Sequence, residues 1–200
     1  LLLTGSNNLL NFALICHIHT FQKKPQNSQK TLQNRAFPGK TRRNKTMIKV
    51  LFICHGNICR STMAQFVLQD LVNRAGYTDN FYIDSMATST EEIGNGPHHG
   101  TVAKLRQVGV PVLEHYAKQV RKSDYCNFDH IIGMDQWNYR NMMRIFGKDP
   151  EQKVSLLLDF TDRPGEIADP WYTGNFDETY RDVLEGCEGF LAYLRKQGKL

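Results

Sequence analysis

The sequence predicts an α/β fold: a central four-stranded parallel sheet with helices on both faces. Three observations lead there. The run IKVLFI at 48–53 is continuously apolar and rich in β-branched residues, the pattern of a strand buried on both faces. Strand-like runs recur at 81–88, 130–135 and 154–160, and the segments between them carry helical apolar spacing. The chain has 200 residues and is 40% hydrophobic, which suits one domain of ordinary size plus an extension. Strand–helix alternation of this kind implies parallel strands joined by right-handed crossovers.

Taken in order, the strand at 48–53 leads into STMAQFVLQDLVNRAGY. There Met63, Ala64, Val67, Leu68, Leu71 and Val72 fall at helical spacing, and Gly76 is a natural stop. FYIDSMAT (81–88) is the second strand, and GPHHGTVAKLRQVGV carries a helix that ends near Gly109. HIIGMD (130–135) is the third strand and 136–146 the third helix. VSLLLDF (154–160) is the fourth strand, and a long helix from about Asp177 to Lys196 closes the domain. In such sheets ligands bind beyond the carboxyl ends of the strands, and Cys54 lies at one of those ends.

Charge is unevenly spread. Residues 1–46 hold eight Lys or Arg and no Asp or Glu, which leaves 17 basic and 20 acidic residues in 47–200, a net of −3. The domain is therefore mildly acidic, and the overall charge of +5 does not point to nucleic acid. Residues 1–46 show no persistent period. They are expected to be a disordered basic arm or a non-native upstream extension, with Met47 as initiator, and His17 and His19 lack companions for a metal site. There is no apolar run of about 18 residues, so no membrane association is expected. The five cysteines (Cys16, Cys54, Cys59, Cys126, Cys187) lack disulfide-framework spacing, which suits a reducing, cytoplasmic setting.

The chemistry concentrates in CHGNICRS, residues 54–61. Gly56 permits a tight turn and Asn57 tolerates the left-handed conformation. Successive backbone N–H groups can then face inward, reinforced by the N-terminus of the following helix. Arg60 can offer a planar fork to two oxygens of a tetrahedral oxyanion. Ser61 can cap the helix or donate to sulfur. Such surroundings favour ionised sulfur, so Cys54 is expected to be a thiolate nucleophile beneath a bound phosphate. A buried filler cysteine beside a surface arginine is the plainer alternative. A zinc site from Cys54, His55 and Cys59 lacks a second ligand pair, and neither metal nor cofactor is expected.

CHGNICRS resembles the C-x5-R-S phosphate loop of the low-molecular-weight protein tyrosine phosphatases. The resemblance extends over essentially all of 47–200, through IDS (83–85), HYAKQV (115–120), FDHIIGMD (128–135) and DPWYTGNFDETY (169–180). It implies a flavodoxin-like sandwich and hydrolysis of phosphotyrosine, or of small aryl phosphates, through a cysteinyl-phosphate. His55, Gly56, Asn57, Ile58, Cys59 and Ser61 complete the phosphate loop around Cys54 and Arg60. Asp169 is implied as general acid and then base; Pro170 holds it extended, and Trp171 and Tyr172 are expected to shield its carboxyl group and favour its protonated form. Asn57, Ser85 and His115 are implied to form a supporting network, and Asp135, ending the third strand, to orient Arg60.

The resemblance also implies a reversible disulfide between Cys54 and Cys59 that protects the nucleophile; a buried thiol beneath the loop is the alternative. Ile58, His55, Trp171 and Tyr172 should wall a slot deep enough for a phosphorylated phenol. Members acting on phosphoarginine tend to carry Thr where this chain has Ile58. Glu91 and Glu92 stand where some members have a bulky aromatic. Arsenate reductase shares the fold and loop but relays through a downstream cysteine pair, and Cys126 and Cys187 lie about 60 positions apart. The expected partners are phosphotyrosine proteins or small aryl phosphates, with the chain a monomer or weak homodimer.

Overall fold

Strand β1, Ile48–Cys54, is the middle of the architecture, and its alternation divides the core in two. Val50, Phe52 and Cys54 join one apolar cluster; Leu51 and Ile53 join the other, on the opposite face. Residues Val50 to Ile53 are wholly excluded from solvent. At about 1.5–3 kcal/mol per buried large side chain, slipping by one residue would exchange the two sets, so the register is fixed. The computed structural model describes residues 47–200; the expectations for 1–46 lie outside the described residues.

The remaining elements are α1 (Arg60–Arg74), β2 (Phe81–Ala87), α2 (His99–Gln107), β3 (His130–Gly133), α3 (Gln136–Phe146), β4 (Val154–Leu156), α4 (Pro170–Thr173) and α5 (Phe176–Lys196). The sheet order is β2-β1-β3-β4, and every pairing is parallel. One face is covered by α1, α5 and Leu105 of α2, the other by α3 and the 3-10 turn Lys122–Asn127. The chain leaves β1 toward β2 and later returns on the other side as β3. Cys54 therefore ends the strand at which the winding reverses, where such sheets form their binding crevice.

Helix ends follow the expected glycines: Gly76 and Gly109 adopt φ of +73° and +74°. Two strand ends differ from expectation. β4 stops at Leu156, and 157–160 forms a 3-10 turn, because the Asp159 carboxylate accepts the Leu156 N–H and bends the chain. β3 stops at Gly133, so Asp135 does not end a strand; it caps α3, accepting the Asn138 N–H at 2.6 Å. The single turn α4 went unpredicted; Pro170 opens it and Asp169 caps it. Among the described residues no helix is long and apolar enough to cross a membrane.

Candidate active site

The loop between β1 and α1 closes around the sulfur of Cys54. Asn57 adopts φ of +60° and turns its N–H onto Cys54 Sγ at 3.2 Å. Ser61 Oγ lies 3.0 Å from the same sulfur. The neighbours of Ser61 leave its proton available to that sulfur. Asn57 Oδ1 accepts the Lys118 backbone N–H, so the other amide atom is Nδ2, a donor to both Ser61 Oγ and Ser85 Oγ. Ser61 therefore accepts from Asn57, and its own proton is free to turn toward Cys54 Sγ. Ser61 does not take the capping role: α1 begins without a side-chain cap. The first N–H groups of a helix have no intrahelical partner, so the start of α1 brings unpaired donors to the end of this loop.

The supporting residues form a chain behind the loop. Ser85 accepts from Asn57 and donates to Gln65 Oε1 at 2.6 Å. His115 Nε2 lies 3.2 Å from both the Asn57 carbonyl and Asn57 Oδ1; both partners are acceptors, so Nε2 carries the proton. Burial pushes His115 down from the usual imidazole range, which keeps it neutral in that role. Thr62 Oγ1 also donates to the Asn57 carbonyl. Asn57 is wholly buried, and its polar side-chain atoms are matched, as a buried amide requires. Gln65, Thr62 and the Lys118 main chain were not anticipated. Gln65 sits four residues after Ser61, on the same helix face, and that spacing was the available signal.

Arg60 is 2% exposed and spans two carboxylates. Its Nη1 donates to Asp135 Oδ2 and to the Ile167 carbonyl, and its Nη2 to Asp169 Oδ2. Burial works against the charge, but Cys54, Asp169 and Asp135 outweigh it and hold the guanidinium more firmly protonated. The expected contact with Asp135 is present, made from the α3 cap. The contact with Asp169 was not expected. Arg60 Nε is buried with no partner among the described residues.

Cys54, His55, Gly56, Ile58, Cys59, Asp169, Trp171 and Tyr172 line one cleft together with Glu91 and Glu92. All four anticipated wall residues are there. The rings expected to shield Asp169 are themselves open to solvent, Trp171 56% and Tyr172 82% exposed, while the Asp169 side chain is 20% exposed. The Asp169 carboxylate is fixed instead by Arg60 and by the Trp171 N–H at 3.1 Å, because the turn of α4 directs the two rings outward. His55 Nε2 contacts Glu91 Oε2 at the exposed rim, 3.0 Å away. Neither Cys54 nor Cys59 is in a disulfide, and burial with the adjacent Cys54 pushes Cys59 up to about 12. Among the described residues no group of three or more His, Cys, Asp or Glu is placed to hold a metal ion.

The molecule is thus a parallel α/β sandwich with a cysteine-centred loop where the winding reverses, the Asn57 N–H on the sulfur and the buried Arg60 six residues on. The family model for low molecular weight phosphotyrosine protein phosphatase matches residues 49–200. The low molecular weight protein-tyrosine-phosphatase YfkJ of Bacillus subtilis is 38% identical over 156 residues, covering 77% of this chain and 100% of YfkJ. The YfkJ crystal structure superposes with a TM-score of 0.74, covering 77% of this chain and 98% of that one. The low molecular weight protein tyrosine phosphatase of Streptococcus pyogenes is 39% identical, with TM-score 0.67 and coverage of 74% and 93%. A Drosophila arginine phosphatase superposes with TM-score 0.66 at 32% identity, covering 73% and 97%. The chain belongs to the low molecular weight phosphotyrosine protein phosphatase family.

Proposed function

We propose that this protein hydrolyses phosphotyrosine, in proteins or as small aryl phosphates, through a phosphate ester of Cys54. One observation carries the reading. The Cys54 sulfur holds the Asn57 N–H, with the Ser61 hydroxyl 3.0 Å away, in the same cleft as the Asp169 carboxyl group. Donors fixed around a sulfur stabilise its anion, and the thiolate is the form that attacks.

In the first step the Cys54 thiolate forms the S–P bond as the P–O bond to the phenol breaks. The leaving oxygen takes its proton from Asp169. The loop N–H groups and the Arg60 guanidinium hold the three phosphoryl oxygens through transfer. Arg60 has donors for this: Nε is unpartnered and Nη2 rests on Asp169. Phosphate binding displaces the carboxylate from Nη2, which frees Asp169 to face the leaving group. In the second step Asp169 takes a proton from water, the water oxygen forms the new O–P bond, and the S–P bond breaks. Asp135 keeps Arg60 oriented throughout. Cys59 holds its proton, so peroxide oxidises Cys54 first; the resulting sulfenic acid condenses with the Cys59 thiol and releases water.

The cleft supports an aryl substrate. Ile58, Trp171 and Tyr172 give it apolar and aromatic walls around the opening above Cys54, and a phosphoserine side chain is too short to reach through them. An arsenate relay has less support: Cys187 lies in the core on the α5 face, whereas Cys126 adjoins Tyr125, which packs on the other face of the sheet. The test is hydrolysis of phosphotyrosine, phosphoarginine and phosphoserine side by side. Phosphotyrosine is expected to be preferred, and Cys54→Ser to abolish turnover while retaining phosphate binding. Preference for phosphoarginine, or turnover without Cys54, contradicts the reading.

A further inference from the structure

We propose that His98 is a positioning residue for the acid: its imidazole ring holds Trp171, and through it the Asp169 carboxyl group, against the phosphate-binding loop. This rests on the reading of Asp169 as the proton donor. The need for such a support comes from α4. It has four residues and ends at Gly174 in the left-handed conformation, and so short a helix has little stability of its own. Its cap is Asp169, whose Oδ1 takes the Trp171 N–H. The direction of the carboxyl group therefore depends on where Trp171 sits. Trp171 is largely exposed, and among the described residues its aromatic neighbour is His98, edge to face at 5.7 Å.

His98 is itself anchored to the loop. Its backbone N–H donates to the Ile58 carbonyl at 2.8 Å. Its ring stacks on Phe176 at 5.3 Å with an interplanar angle of 5°, and Phe176 packs against the cluster containing Ile58 and Cys59. Its rotation is fixed because Nδ1 accepts the Gly100 N–H at 3.1 Å and so caps α2. That bond needs an unprotonated Nδ1, and burial together with His99 pushes His98 down from the usual imidazole range. The close fit continues at Gly100, where a Cβ would lie 2.4 Å from the Phe176 ring. A cap alone does not call for histidine, since Ser, Asp and Asn are the preferred capping residues. The ring is what His98 adds, and the ring is what meets Trp171.

Two variants separate ring from cap. His98→Asp keeps a good cap and removes the ring; His98→Phe keeps an aromatic ring and removes the cap. The readout is kcat/KM over aryl phosphates whose phenols span a range of acidities. His98→Asp is expected to lose roughly tenfold on phenyl phosphate but within about twofold on p-nitrophenyl phosphate, part of the roughly 10²–10⁴ that general acid catalysis supplies. His98→Phe is expected to keep the parent leaving-group dependence with a lower Tm. His98→Asn, also a capping residue, should behave as His98→Asp. Parent leaving-group dependence in both capping variants overturns the proposal, as does an equal loss across the series. An Asp169→Asn enzyme with parent dependence removes the acid assignment itself, and the positioning role with it.

Discussion

At the scale of single residues, Asn57 concentrates more of the site than any other side chain. It holds a left-handed backbone, at φ of +60°, that costs most residues roughly 1–2 kcal/mol. In return its N–H faces Cys54, its Nδ2 serves two serines, and its Oδ1 and carbonyl accept from His115, Lys118 and Thr62. Asn57→Gly keeps the backbone and loses the side-chain bonds; Asn57→Ala loses both. Denaturant unfolding should place Ala about 1 kcal/mol below Gly, and both should lose most turnover because Ser61 is no longer oriented. Equal stability of the two variants contradicts the backbone assignment, and retained turnover contradicts the network. CHGNICRS announced the loop because its chemistry is local. The ion pair between Arg60 and Asp169 was not legible: it joins residues 109 positions apart, and the outward turn of the aromatics depends on a single-turn helix with almost no periodicity of its own.

At the scale of elements, the long helices and β1 were legible to within a residue or two because their apolar periods are strong. β4 was overextended because VSLLLDF reads as one buried strand until the Asp159 side chain caps its own turn. That turn packs tightly under α5. At Gly189 a Cβ would lie 2.3 Å from the Phe160 carbonyl oxygen. Ala in place of Gly normally favours a helix by up to about 1 kcal/mol. Here the obstacle is backbone, which cannot rotate away, and overpacking costs about 1–3 kcal/mol. The clash wins: Gly189→Ala is expected to lower unfolding stability by about 1–2 kcal/mol. An unchanged or raised Tm would show that α5 can move off the turn freely.

For the whole molecule, acid sensitivity has a source remote from the cleft. His130 opens β3 beneath Phe190 and Tyr193, at ring distances of 5.0 and 6.2 Å. Its Nε2 is buried with no partner among the described residues, and burial, aided by Lys199, pushes it down to about 4. The unfolded chain takes up this proton near 6.5 and the folded one only near 4. Stability is therefore full above about pH 6.5 and declines as pH falls from there toward 4, by about 2 kcal/mol after allowance for partial exposure. His130→Phe should flatten Tm against pH in that window and leave kcat/KM unchanged at neutral pH. A slope as steep as the parent's assigns the acid sensitivity to other groups. Sequence alone placed His130 at a strand start but not under two rings, since α5 reaches it from 60 residues further on.

The most direct measurement is rapid acid quenching of the enzyme during turnover of an aryl phosphate labelled in its phosphoryl group, followed by peptide mapping. The expected result is label on the peptide that contains Cys54, absent from Cys54→Ser and longer-lived in Asp169→Asn. Turnover with no protein-bound label, or label on any other residue, contradicts the account.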